Sequence, residues 1–179
     1  MMGGNNNFMR ITDKSFFIVP VLDLAEKLLG KVLVRNFDDG RVVRFRITEV
    51  EAYAGGDDSA SHASRGITKR NAPMFEDGGI LYVYLCYGIF NLLNIVSGKK
   101  GKPEGVMIRG VDNIEGPGRV GRILQITREL NREDLLTSER IWLEDDCFVV
   151  KDVERIKRVG IGYAKQEDQD RLWRLKIVV

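Results

Sequence analysis

Hydrophobic and polar positions alternate along much of this chain, and the alternation predicts more strands than helices. Val21 to Leu29 is an exception near the start. Leu22, Ala25, Leu28 and Leu29 fall on one face of a short amphipathic helix, and Gly30 is its natural stop. Lys31 to Asn36 and Arg41 to Val50 read as strands, with Asp38-Asp39-Gly40 between them as a hairpin signal. Ile80 to Val96 reads as a second hairpin that turns at Tyr87-Gly88-Ile89-Phe90. Gly98 to Gly105 is a basic turn, from which Gly105 to Asp112 returns as a strand. Gly116-Pro117-Gly118 interrupts the pattern, and Pro117 suits the first turn of a helix ending near Thr127. Arg132 to Ser138 reads as another short helix, and Ile141 to Leu143, Phe148 to Val150 and Leu172 to Val178 as closing strands. Hairpins dominate, so the expected class is α+β: a curved, mainly antiparallel sheet with helices packed around it.

The 179 residues suit one domain with a real core. No repeat or linker marks an internal boundary, so residues 11–179 read as that domain behind a polar tail over residues 1–10. Met1 to Asn7 has neither the apolar stretch of a secretory signal nor the Arg-rich pattern of a transit peptide. No apolar run approaches the roughly 18 residues of a membrane span. Cys86 and Cys147 form no C-x-x-C, which favours a reduced, intracellular protein. With one histidine in the chain, little is left for a zinc site. The net charge of +2 permits nucleic-acid binding without arguing for it, because such binding depends on where cations cluster.

Candidate chemistry concentrates between Glu51 and Asn94. Ala54 to Gly79 is a long polar loop, and loops of that length inside domains are usually functional. Glu51 follows the strand alternation and is expected to project from a sheet edge, where a carboxylate can take a proton from water. The bland alternative is a surface glutamate. Glu49 would share its face, and two like charges there are unfavourable unless one has a special environment. Tyr82 and Tyr84 also share a face, as core rings with phenol tips at the rim or as a stacking wall. Tyr87 is different. A large ring at a hairpin tip is poorly explained by packing and better explained as a wedge for a base stack. His62 lies among small polar residues, either as a solvated ring or as one that meets a flat ligand. The cations Arg65, Lys69, Arg70, Lys99, Lys100, Lys102, Arg109, Arg119 and Arg122 lie in loops and helix starts near glycines, which suits phosphate contacts.

Taken in order, several of these segments resemble the alkyladenine (3-methyladenine) DNA glycosylase family. They are Thr48-Glu49-Val50-Glu51-Ala52-Tyr53, His62, Met74-Phe75, Leu81-Tyr82-Val83-Tyr84 with Tyr87-Gly88, Asn94, Gly116-Pro117-Gly118, and Arg158 to Ala164. The resemblance runs from about Leu24 to the end of the sequence. It implies a monofunctional base-excision repair enzyme that flips a damaged purine out of duplex DNA and hydrolyses its bond to deoxyribose. It also implies a fold like the C-terminal domain of methionyl-tRNA formyltransferase. Glu51 would be the general base. Arg109 would hold the water and a phosphate, and the Val159 carbonyl would contact that water. Tyr53 would stack on one face of the base, with His62 and Tyr84 on the other. Asn94 would lie near the purine edge and disfavour the amino group of normal guanine. Tyr87 would fill the gap in the duplex, and Thr68, Arg70 and Met74 would face the DNA backbone. Two departures bear on substrate range. Thr68-Lys69-Arg70 lacks the central proline the family often has, and Gly88-Ile89-Phe90 stands where methionine and then tyrosine or histidine are common.

The residues suit that reaction. Cleaving an N-glycosidic bond develops positive charge on the sugar, which one carboxylate can stabilise while it deprotonates water. A cationic alkylated base leaves readily and stacks well between rings. Neither metal nor redox cofactor is needed, and a monomer of this size is a plausible unit. A non-catalytic module for damaged DNA would keep Tyr87 and the cations but would not need Glu51. A formyl-transfer or RNA-processing enzyme rests on fold alone, and a purine nucleoside hydrolase would not need the wedge.

Overall fold

The alternation of the sequence becomes one antiparallel sheet in the computed structural model, which describes residues 8–178. Its strands are β1 (Met9–Arg10), β2 (Val32–Asn36), β3 (Val42–Tyr53), β4 (Leu81–Cys86), β5 (Phe90–Ser97), β6 (Glu104–Val111), β7 (Ile114–Glu115), β8 (Ile141–Asp145), β9 (Val153–Ile156) and β10 (Arg174–Ile177). The main order is β1-β8-β2-β3-β6-β5-β4; β10 pairs with β3 and β9, and β7 with β6. Among the described residues three α-helices accompany it: α1 (Val21–Leu28), α2 (Pro117–Ile123) and α3 (Gln166–Gln169). The expected α+β class is therefore found. Among the described residues no helix is long and apolar enough to cross a membrane.

The long strand β3 organises the sheet. Its first half, Val42 to Arg46, pairs with β2; Glu49 to Glu51 pair with β10, and β6 runs along the other edge from Ile47 to Tyr53. The β3–β6 register shifts twice. Ile47 faces Val111 and Glu49 faces Gly110, which leaves Thr48 extra; Val50 then faces Ile108, which leaves Arg109 extra. Such bulges bend strands and re-aim side chains, here beside the carboxylates of Glu49 and Glu51.

Side-chain alternation divides the two faces of this half of the sheet. Val50, Ala52, Leu81, Val83, Leu93, Ile95, Val106, Ile108 and Leu175 are buried on one face in a single core with Leu24, Ala25 and Leu28 of α1. Tyr82, Asn94, Met107 and Glu51 alternate with them on the other. The buried stripe of α1 is Val21, Leu24, Ala25 and Leu28; Leu22 lies at its margin.

The structure corrects several sequence expectations. The strand expected to end at Val50 continues through Tyr53, and Glu51 lies inside the sheet between β10 and β6 rather than at an edge. Arg132 to Ser138 forms turns, not a helix, because its backbone serves the edge of β4. The Arg132 N–H donates to the Leu81 carbonyl, the Leu81 N–H to the Glu133 carbonyl, and Ile80 bridges Asp134. Phe148 to Val150 is irregular as well. Asp145 and Asp146 accept the Cys147 and Phe148 N–H groups, and Cys147 takes a left-handed φ of 61°, so the chain turns out of β8. The helix after Gly116 stops at Ile123. Residues 1–7 of the expected tail lie outside the described residues, whereas Met9 and Arg10 pair with β8.

Candidate active site

Register alone assembles a site. One row crosses the sheet from Tyr82 on β4 to Asn94 on β5, Met107 on β6, Glu51 on β3 and Arg174 on β10, each directly opposite the next. A cavity of about 440 Å³ opens on this face, in the size range of small-molecule sites. Glu51, Tyr53, His62, Met74, Tyr82, Tyr84, Asn94, Met107, Arg109 and Val159 line it.

Glu51 is fully buried. Its Oε1 accepts the backbone N–H of Val159 at 2.8 Å, and its Oε2 accepts the Tyr53 hydroxyl at 2.8 Å. The Arg109 guanidinium lies between two carboxylates, with Nη1 3.4 Å from Glu51 Oε1 and Nε 3.3 Å from Glu49 Oε1. Arg174 approaches Glu49 from the other side at 3.4 Å. The like-charge pair anticipated on this face thus exists, and interleaved arginines offset its repulsion. Burial raises the pKa of Glu51 above its ordinary value, while Arg109, the Val159 N–H and the Tyr53 hydroxyl oppose the rise. Tyr53 is held protonated by its own burial and by the adjacent Glu51 charge, so it remains a donor.

An aromatic wall stands across the cavity. The His62 and Tyr84 rings meet edge-on at 4.5 Å between centroids, and Tyr82 lies 5.3 Å from Tyr84. His62 Nδ1 and the Tyr82 hydroxyl share a 3.0 Å hydrogen bond. Burial, with a smaller contribution from Arg70, lowers the His62 pKa, so the ring is neutral at pH 7; burial pushes the Tyr82 phenol up to about 12. Buried Asn71 holds the loop that carries His62, its amide donating to the His62 and Gly66 carbonyls. The Asn94 amide donates to the Tyr82 and Leu92 carbonyls, which fixes it across the β4–β5 pair.

At the mouth, Tyr87 is 88% exposed at the β4–β5 tip with a left-handed φ of 49°. Tyr163 is exposed in another turn that lines the opening, and Ile89 is exposed two residues beyond Tyr87. Arg70 sits over the Tyr84 ring at 5.3 Å and donates to the Leu85 carbonyl. Thr68 lies outside the lining, its hydroxyl accepting the Asn71 N–H. Met74 departs from expectation: the one-turn helix Ala72–Phe75 turns it inward, where it is 4% exposed and packs in the cavity floor rather than facing outward. Arg109, grouped with surface cations in the sequence, is likewise inside the site. Met107, Arg174, Asp58 and the side chain of Arg158 had no assigned role in the sequence. Only strand alternation could have found the first two, and no local signal pairs the others.

The comparisons agree with this geometry. The methylpurine-DNA glycosylase family profile matches residues 15–178. A protein of Methanocella arvoryzae, provisionally named a 3-methyladenine DNA glycosylase, is 40% identical over 93% of this chain and 92% of its own length. One of Ehrlichia ruminantium with the same provisional name is 38% identical over 93% of this chain and 89% of its own. The DNA-3-methyladenine glycosylase of Arabidopsis thaliana is 39% identical, covering 94% of this chain and 72% of the plant protein. A match of this extent, over the strands and turns that build the cavity, means that the chain belongs to the methylpurine-DNA glycosylase family, hydrolases of N-glycosyl bonds.

Proposed function

We propose that this protein is a monofunctional DNA glycosylase of the 3-methyladenine type. It turns an alkylated or deaminated purine nucleotide out of duplex DNA into the cavity and hydrolyses the base–deoxyribose bond, initiating base excision repair. The observation that carries this reading is the fully buried Glu51, held by Val159, Tyr53 and Arg109 beside an aromatic cavity. A binding module would have no use for an ionisable group kept out of water.

In this mechanism Glu51 accepts a proton from water, the water oxygen bonds to C1′, and the glycosidic electron pair leaves with the base. Arg109 keeps Glu51 ionised against its burial and offers cationic charge near a phosphate. The Val159 N–H grips Glu51, and its carbonyl is the proposed water contact. Tyr53 stacks on one face of the base and the His62–Tyr84 wall on the other. Asn94 meets the purine edge. Tyr87 fills the vacated position in the duplex, and Arg70 and Thr68 meet the backbone. The protein acts as a monomer.

The test is release of free base from duplexes bearing one 3-methyladenine, 7-methylguanine, hypoxanthine or ethenoadenine, read as alkali-labile abasic sites. Release from at least one lesion and none from free nucleosides is expected; tight binding with no release would end the proposal. The single-turnover rate should also rise with pH along an acid limb set by Glu51. A base works only when deprotonated, and burial raises this carboxyl, so the limb lies above the ordinary carboxylate range. It should persist in His62→Asn, which separates it from imidazole titration. A rate that stays flat down through the ordinary range would refute Glu51 as the base.

Tyr87→Ala should lower lesion-duplex affinity about 10-fold or more, since the wedge offsets unstacking. Cleavage of the same lesion in single-stranded DNA should change little. An equal loss on both substrates would count against the wedge.

A further inference from the structure

Val159 presents a puzzle. Its N–H must stay on Glu51, yet its side chain is 48% exposed and it lies in an irregular turn. Between Lys157 and Gly160 only Arg158 is buried. The Arg158 guanidinium meets the Asp58 carboxylate in a fork, Nη1 to Oδ2 at 2.6 Å and Nη2 to Oδ1 at 2.8 Å, with both side chains fully buried. Nη1 also donates to the Ala52 carbonyl at 2.9 Å, between Glu51 and Tyr53 on β3, and Nη2 to the Asp168 carbonyl at 3.1 Å. Asp58 in turn accepts the Ala54 and Ala60 N–H groups. The guanidinium further lies 4.8 Å from the centre of the Tyr53 ring and takes no part in the cavity lining.

We propose that the Arg158–Asp58 pair is a positioning device for the reaction. It ties the turn at Val159 to β3 and to the loop at Asp58, and so holds the Val159 N–H against Glu51 while backing the Tyr53 ring. The inference rests on Glu51 acting as the base. Arginine suits the task because its planar fork reaches four acceptors in three segments at once, which a lysine ammonium cannot do. The consequence is electrostatic. The Val159 N–H favours ionised Glu51, and a slack turn would weaken that bond and leave burial less opposed.

The test uses Arg158→Lys and Asp58→Asn, each retaining a polar partner for the other, with thermal melts to establish folding. Single-turnover rates on lesion duplex should fall about 100-fold, as for a small misplacement of reacting groups. The acid limb should move to higher pH in the same variants. A folded variant with wild-type rate and limb would overturn the proposal, as would a slower rate with an unmoved limb, the mark of a merely structural role. Should Arg158→Lys fail to fold, Asp58→Asn carries the same readouts. Glu51→Gln is measured alongside. If it keeps wild-type activity, the general-base reading fails; if it is inactive while both pair variants behave as wild type, only the positioning role fails.

Discussion

Glu51→Gln should lower base release from lesion duplex by about 10³-fold, within the range that general-base catalysis supplies. The same substitution should raise the melting temperature at neutral pH. The sign follows from burial. The folded-state pKa of Glu51 is raised, so its contribution to stability is full at low pH and is lost as pH rises through that value. Above it, folding carries the cost of a buried charge, which the amide removes. Glutamine keeps an oxygen for the Val159 N–H, Tyr53 can turn its hydroxyl to accept, and Arg109 keeps Glu49. Single-turnover kinetics and thermal melts at several pH values measure both effects. A variant that releases base like wild type removes Glu51 from the chemistry. A variant that loses activity and also melts lower would mean that the carboxylate helps to hold the fold.

Gly121→Ala should destabilise the protein by about 3 kcal/mol, the upper part of the usual overpacking range. Gly118 and Gly121 lie three residues apart on α2 and face the start of β5. A Cβ at Gly121 would fall far inside contact distance of the Asn91 carbonyl oxygen, and one at Gly118 would meet the Phe90 ring at 2.8 Å. Backbone cannot give way as a side-chain end can, so either the helix lifts from the sheet or β5 shifts. Pro117 of α2 lines the cavity, and Phe90 stands next to the hairpin tip, so activity should fall along with stability. Gly56→Ala is the control. A Cβ there meets nothing within 4 Å, and the change should stay within about 0.5 kcal/mol. Denaturant titration of both variants decides it; equal midpoints would show that α2 has room to move.

Local rules made part of this fold readable. The α1 helix, the turn at Asp38 to Gly40 and the hairpin tip at Tyr87 each follow from residues within one or two turns of chain, and each is found, although the buried face of α1 holds Val21 and Leu24 rather than Leu22. Glu51, Tyr53, His62, Tyr84 and Asn94 are singled out through alternation and resemblance, and the sheet and the loop carrying His62 bring them to one cavity. What stayed hidden depends on partners far away in sequence. Arg132 to Ser138 has helical composition, but its backbone groups are claimed by β4. In the sequence Arg109 groups with phosphate-contacting cations and gains a water-holding role only through the resemblance, because nothing nearby announces a bulge that sets it beside Glu49 and Glu51. No sequence signal links Arg158 to Asp58, 100 residues apart, and only the folded chain makes them one buried pair.

The row through Glu51 also bears on when the protein becomes competent during its synthesis. Tyr82, Asn94 and Met107 follow Glu51 within the first two thirds of the chain, but Arg174 and the Trp173 carbonyl that takes the Ala52 N–H emerge much later, as does Val159. Pairings so distant in sequence form slowly, because loop closure must precede the contact. A ribosome-bound chain that has folded β2 to β6 therefore holds its carboxylate with one strand edge open and no amide on Oε1. If Glu51 acts as the base proposed above, its setting is complete only once the turn at Val159 and β10 have docked.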